Sequence, residues 1–169
     1  DVPADLSDQN LIDQVASFLP SNAVVVSSDL SRSVATADAL AYGRPRLPHE
    51  PNLREFNFGD WDGKLWTDVA ESNPKLSRDY WEKPGDVIAP NGESWNMAAG
   101  RVRQVVDRLA AAHTCIIAVA HFGIILTQVQ RASGASAYDC LAYKIDNFSV
   151  THLCEENGQW AVNYINRLP

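Results

Sequence analysis

No stretch of the 169 residues is long and apolar enough to span a membrane, and no segment repeats another. The opening Asp-Val-Pro-Ala-Asp has neither the basic start nor the apolar run of a signal peptide, so the expectation is a soluble, cytoplasmic protein with no membrane partner. Cysteine is scarce: Cys115, Cys140 and Cys154 are odd in number, widely spaced and free of any C-x-x-C pair. They read as reduced thiols, neither a disulfide framework nor a zinc site, and no metal or other cofactor is expected. Basic charge is also short, with 14 Lys and Arg against 21 Asp and Glu, a formal net charge of −7. Such a chain has no general affinity for nucleic acid, so any anion it binds must be held by local positive groups.

What is present suits a globular fold. With 46% apolar and 9% aromatic content, a chain of 169 residues can bury a sizeable core, and one domain over residues 1–169 is expected. Leu6, Leu11, Ile12, Val15, Ala16 and Leu19 recur at helical spacing after the capping residues Ser7 and Asp8. Ala23 to Val26 has the continuous apolar character of a strand buried on both faces. Asp29 and Ser31 then offer caps to a helix that Gly43 and Pro45 stop.

From about 44 to 90 the chain is an irregular excursion rich in Pro, Gly, Trp and Asp, with at most a short helix near Trp66 to Ser72. An amphipathic helix follows from about Ser94 to Ala112, with Met97, Val102, Val105, Val106 and Leu109 facing inward and its arginines outward. Cys115 to Ala120 reads as a second buried strand, and Ile124 to Arg131 as a helix closed by Ser133 and Gly134. Leu141 to Ile145, Phe148 to Cys154 and Gln159 to Ile165 read as strands, the last two joined at Asn157-Gly158. The expected fold class is α/β: a mostly parallel sheet sandwiched by helices, with a C-terminal antiparallel hairpin.

Open parallel sheets bind ligands beyond the carboxyl ends of their strands, and two such places carry chemistry here. Arg32 stands in the first turn of a helix, where free backbone N–H groups and the helix dipole favour an anion and a guanidinium fork suits a phosphoryl group. An arginine at a helix start opposes that dipole and calls for a compensating anion; the bland alternative is a solvated helix residue. His121 leaves the second buried strand, followed by Phe122 and Gly123 at a strand-to-helix turn; alternatively it merely caps the next helix. His49, His113 and His152 read as structural. Glu55 sits in Leu53-Arg-Glu-Phe-Asn-Phe-Gly-Asp-Trp-Asp-Gly63, where burial beside aromatics would raise a carboxyl pKa as a general acid requires. On spacing alone it is equally a surface residue or a partner for Arg54.

Taken together, these segments resemble the histidine phosphatase superfamily, also called phosphoglycerate mutase-like. Ser27-Ser-Asp-Leu-Ser-Arg-Ser33 with Thr36-Ala37 resembles the family's S-S-x-L-x-R-A-x-x-T-A, and residues 53–63 resemble its acid-bearing loop. Pro90-Asn-Gly-Glu-Ser94 matches P-x-G-E-S, Ala120-His-Phe-Gly123 matches the second-histidine motif, usually H-G-G, and Asn147-x-Ser-Val-Thr with Trp160-Ala-Val resembles the last strands. The resemblance implies that Arg32 clamps a phosphoryl group, that His121 donates to its developing charge, and that Glu55 protonates the leaving oxygen. It implies a phosphohistidine mechanism without metal, with Ser31, Phe122 and Gly123 lining the pocket. The partner expected is a small phosphorylated substrate or inorganic phosphate.

Two departures stand out. Relatives begin with a strand ending in R-H-G, which holds the nucleophilic histidine and a second arginine clamp, whereas this sequence contains no Arg-His dipeptide. Either the sequence is a piece lacking its first strand, or the protein has none and does not form phosphohistidine. In addition, Phe122 replaces a glycine, which puts bulk beside the site, and Leu126 stands where many relatives carry a polar or basic residue. The leading expectation is a phosphomonoesterase; the alternatives are a non-catalytic relative that binds a phosphorylated ligand or protein, and a mutase-type isomerase. The excursion's few basic residues favour phosphatase over mutase. A missing strand would leave a slot in the sheet that invites another chain, so a homodimer is a further expectation.

Overall fold

The first helix begins where the Asp8 carboxylate accepts the Leu11 N–H, and the computed structural model describes the chain from there and throughout residues 1–169. Helix α1 (Gln9–Phe18) leads into strand β1 (Val24–Ser27) and helix α2 (Ser31–Ala41). Two 3₁₀ turns, Pro51–Leu53 and Gly59–Trp61, precede α3 (Trp66–Ser72) and α4 (Pro74–Glu82). Helix α5 (Trp95–Ala112), strand β2 (Ile116–Val119), α6 (Phe122–Ser133) and α7 (Ala137–Cys140) follow, and β3 (Val150–Glu156) with β4 (Gln159–Arg167) close the chain.

β1 and β2 pair in parallel, from Val24 opposite Ile116 to Ser27 opposite Val119. Because strand side chains alternate faces, Val25 packs with Ala37 of α2 and Ile117, while Val26 joins the core beneath α5 and α6. Helices α1 and α2 therefore cover one face and α5 and α6 the other, as a parallel pair requires. β3 and β4 form an antiparallel hairpin turned at Asn157 and Gly158, both at positive φ as the Asn-Gly pair predicts. α1 bridges the two sheets, since its cluster of Ile12, Val15 and Ala16 gathers Val119 of β2 and Val150 of β3.

The parallel part of the sheet is two strands, extended on the far side of β1 by bonds from Val25 N–H to the Pro45 carbonyl and from Leu47 N–H to the Val25 carbonyl, each 2.9 Å. Three expectations need correction. Leu141 to Ile145 is not a strand, because the Leu141 and Tyr143 amides turn back onto the carbonyls of α7. The excursion holds a second helix, α4, which starts on Pro74, a proline at the first position, where its missing N–H costs nothing. Met97 is 52% exposed, because the Ser94 cap sets α5 so that Trp95, Ala98, Val102, Val105 and Leu109 form the buried stripe.

The accessible surface is 9421 Å², against about 8,200 Å² expected for a compact chain of 18.6 kDa. Part of the excess lies at β2, which pairs with β1 alone and leaves Ala118 exposed despite the strand's apolar sequence. No helix is long and apolar enough to cross a membrane.

The two loops that flank the site cross in contact. Asp60 N–H donates to the Pro90 carbonyl at 2.8 Å, and a Cβ on Gly59 would lie 2.1 Å from that same oxygen, at a φ of +55°. Gly59→Ala should therefore destabilise the fold by about 3 kcal/mol, whereas Gly63→Ala, also at positive φ but in open space, should cost about 1 kcal/mol. Urea unfolding midpoints of the two variants test this; equal losses would show that the crossing is not tight.

Candidate active site

The β1–β2 register decides which side chains meet. Past Ser27 and Val119 the two chains leave the sheet side by side, so Ser28 and His121 face each other with Ser28 Oγ 2.8 Å from His121 Nε2. Ser28 Oγ also accepts the Leu30 N–H, which leaves its own proton to donate to the ring. His121 is 8% exposed, and Nδ1 has no protein partner. Burial first, then the charges of Arg32 and Arg101, push its pKa down to about 4, so the imidazole is neutral at pH 7.

α2 starts at Leu30 with no side-chain cap; neither Asp29 nor Ser31 fills the capping role expected of them. Asp29 is drawn off by the Arg54 guanidinium, which it meets bidentately at 2.7 and 2.5 Å. The first turn is thus open to an outside anion, and one is there. The Asp1 carboxylate accepts the Ser31 N–H at 2.7 Å and Arg32 Nη1 at 3.1 Å. Two carboxylate oxygens placed on one amide and one guanidinium mark a seat that suits two oxygens of a phosphoryl group.

Glu55 reaches the same place from the other side. Its Oε2 accepts the Gly123 N–H at 3.1 Å and its Oε1 the Phe56 N–H at 3.0 Å. Burial raises its pKa, offset in part by those amides and by the charge of Arg32. A Cβ on Gly123 would fall 2.3 Å from the Phe56 ring and 2.8 Å from Glu55 Oε1, so only glycine permits the contact. Arg32, Glu55, His121 and Gly123 are thereby one group, with the exposed Ser31 giving its amide and Phe122 at the rim, 43% exposed.

The sequence reading missed Arg101, which it placed on the outer face of α5. All five of its N–H donors are used: two to the Glu93 carboxylate (3.0 and 2.6 Å), two to the Asn52 and Arg54 carbonyls (2.7 and 2.9 Å), and one to the Glu55 carbonyl (3.1 Å). Glu93 in turn accepts the Asn57 N–H at 2.8 Å. The signal was there: Arg101 is three residues after the buried Ala98, on the edge of the apolar stripe, where a charge needs a partner. His49 is exposed on Ser27, His152 packs on Tyr164, and neither joins the group. No cluster of three or more His, Cys, Asp or Glu side chains could hold a metal ion.

A parallel strand pair leading into Arg32 and His121, with a carboxyl of raised pKa beside them, forms one polar site at the strand ends of an α/β fold. Residues 9–168 match the histidine phosphatase superfamily (branch 1), and the chain belongs to that family. It is 28% identical over 144 residues to the metal-independent phosphoserine phosphatase of Arabidopsis thaliana, covering 82% of this chain and 59% of that protein. It is 25% identical over 136 residues to the adenosylcobalamin/alpha-ribazole phosphatase of Salmonella typhimurium, 78% of this chain and 67% of the relative. Among solved structures, Bacillus stearothermophilus YhfR superposes with a TM-score of 0.84 at 20% identity, over 96% of this chain and 84% of the other. A mycobacterial glucosyl-3-phosphoglycerate phosphatase in complex with inorganic phosphate gives 0.83 at 24% identity, over 99% and 88%. These superpositions establish a phosphoglycerate mutase-like fold. The chain spans about three fifths of the length of the Arabidopsis relative.

The lowered His121 pKa has a stability consequence. A group held neutral in the fold but protonated when unfolded stabilises the fold fully above the unfolded value near 6.5, and that contribution is lost as pH falls toward about 4. Glu55, shifted up, acts oppositely: its contribution is present at low pH and is lost as pH rises through its folded value. Between pH 6.5 and 4.5 the wild-type melting temperature should fall roughly 4–8 °C more than that of His121→Gln. Parallel profiles for the two proteins would mean that His121 is not held neutral.

Proposed function

We propose that this chain carries the phosphate-clamping and acid-donating part of a phosphomonoesterase that acts on a small phosphorylated metabolite. The observation behind this is the oxyanion seat on Ser31 and Arg32, taken by a carboxylate and set beside a neutral imidazole and a carboxyl of raised pKa. Relatives named as phosphatases of phosphoserine and of adenosylcobalamin/alpha-ribazole support the reaction class.

In this reading Arg32 neutralises two phosphoryl oxygens, and His121, kept in one tautomer by the Ser28 hydroxyl, donates Nδ1–H to a third. The nucleophile is the imidazole of an R-H-G strand, which the 169 residues do not contain. Its nitrogen attacks phosphorus, the ester P–O bond breaks, and the Glu55 proton goes to the departing alcohol. Water then attacks the phosphohistidine, and Glu55 takes its proton as phosphate leaves. The unpaired outer edge of β2 and its separation from β3 favour that flank for the added strand. The Arabidopsis relative is named metal-independent, in keeping with a transition state neutralised by side chains. Without such a strand the seat binds phosphate and does not turn it over, the second reading favoured by the absent Arg-His dipeptide.

The 169-residue chain should not hydrolyse p-nitrophenyl phosphate. Fused behind an apolar strand ending in Arg-His-Gly it should do so, with Glu55→Gln and Arg32→Ala each lowering kcat by about a hundredfold or more. Turnover by the unextended chain at mildly acidic pH would overturn the phosphohistidine route. The seat itself is tested separately: phosphate or vanadate should raise the melting temperature, and a rise that survives Arg32→Ala would remove Arg32 from it.

A further inference from the structure

The acid that must reach the leaving oxygen is tied to the Gly123 amide, and the imidazole that faces the phosphoryl group is residue 121. The residue between them is Phe122. It is the first residue of α6, and side chains of a helix lean toward its N-terminus, here toward the strand ends where the seat lies. Its ring stacks on no other aromatic ring of the protein and is 43% exposed. The exposed ring is thus the apolar surface that the chain sets between His121 and the Gly123 amide that holds Glu55.

Charge points the same way. A second acidic group on the substrate, such as the carboxylate of phosphoserine, needs a cation to meet it. The arginine adjacent to Glu55, Arg54, is held bidentately by Asp29, and Arg101 beneath the same loop has all five donors committed to Glu93 and backbone carbonyls. Neither of these two arginines beside the acid is free to meet a second anionic group, and Arg32 is taken by the phosphoryl group itself.

We infer that Phe122 is a specificity-determining residue that stacks on the leaving group, and that the substrates are phosphomonoesters of uncharged alcohols with a flat apolar or aromatic face. This rests on the seat proposed above. Discrimination then comes from one ring contact, which is sequence-local and independent of the nucleophile, so it can be read by binding alone.

Phosphonates, which are not hydrolysed, serve as probes in calorimetric titrations of the 169-residue chain. Phenylphosphonate should bind about tenfold more tightly than methylphosphonate, and phosphonoacetate, which adds a carboxylate, no more tightly than methylphosphonate. The Asp1 carboxylate competes with all three alike, so the ratios are unaffected by it. In Phe122→Ala the tenfold preference should fall to within about twofold of unity; circular dichroism confirms folding of this half-exposed variant. A preference that survives Phe122→Ala, or tightest binding by phosphonoacetate, overturns the inference while leaving the seat intact. Absence of any phosphate or phosphonate binding, or binding indifferent to Arg32→Ala, overturns the seat and the inference with it.

Discussion

One register carries the site: Ser27 of β1 lies opposite Val119 of β2. A slip of one residue would exchange Val25 and Val26 between the two helical layers, and both are fully buried, so the core itself forbids it. The same register puts Ser28 against His121, 93 positions apart in sequence, and starts α2 and α6 at one edge of the sheet. β1 is also held from behind. Arg44, nearly buried, donates to the carbonyls of Ala16, Leu19, Pro20, Leu40 and Ala41, and so ties down the open C-terminal ends of α1 and α2.

The acid loop has no such regular support and is built from side chains. The Arg101–Glu93 pair is mostly buried, yet every guanidinium donor has a partner, which is the condition under which a desolvated ion pair holds a structure together. Glu93 reaches the Asn57 amide and Arg101 the Glu55 carbonyl, so α5 and the P-x-G-E-S segment grip the loop on both sides of the acid. The Arg54–Asp29 pair is more exposed and accordingly weaker as a support. Its consequence is electrostatic: it removes a cation from the mouth of the site and a cap from α2, and the uncapped turn is what receives the anion.

Much of this was legible in the residues. Periodicity located α1, α2, α5 and α6, and Asn157-Gly158 located the hairpin turn. The strand-end logic singled out Arg32 and His121, because a charge following an apolar run has few structural uses. Glu55 was ambiguous until the fold brought Gly123 to it, since spacing along the chain does not reveal a contact across 68 residues. What could not be read followed from long-range contacts. Arg101 is ordinary as a helix arginine and becomes structural only when the loop lies over it. Leu141 to Ile145 has the composition of a strand, but the Leu141, Ala142 and Tyr143 amides are taken by turns onto α7 and are not available to a ladder. The parallel pairing of β1 and β2 and the closing hairpin were legible, because continuous apolar runs and an Asn-Gly turn each have few other uses.

Charge explains how the pieces divide the work. Burial works against the charged forms of both His121 and Glu55, Arg32 carries the full positive charge at the seat, and the Asp1 carboxylate pairs with it. A phosphomonoester brings about two negative charges, and an overall charge of −7 offers no background attraction to offset the second. His121 and the α2 amides supply partial charges only. The missing full charge is that of an arginine, the residue that accompanies the nucleophile in an R-H-G strand. The same segment that would accept the phosphoryl group would thus also complete its neutralisation, so full charge balance and chemistry, unlike the binding of phosphate itself, would depend on a single addition and not on two.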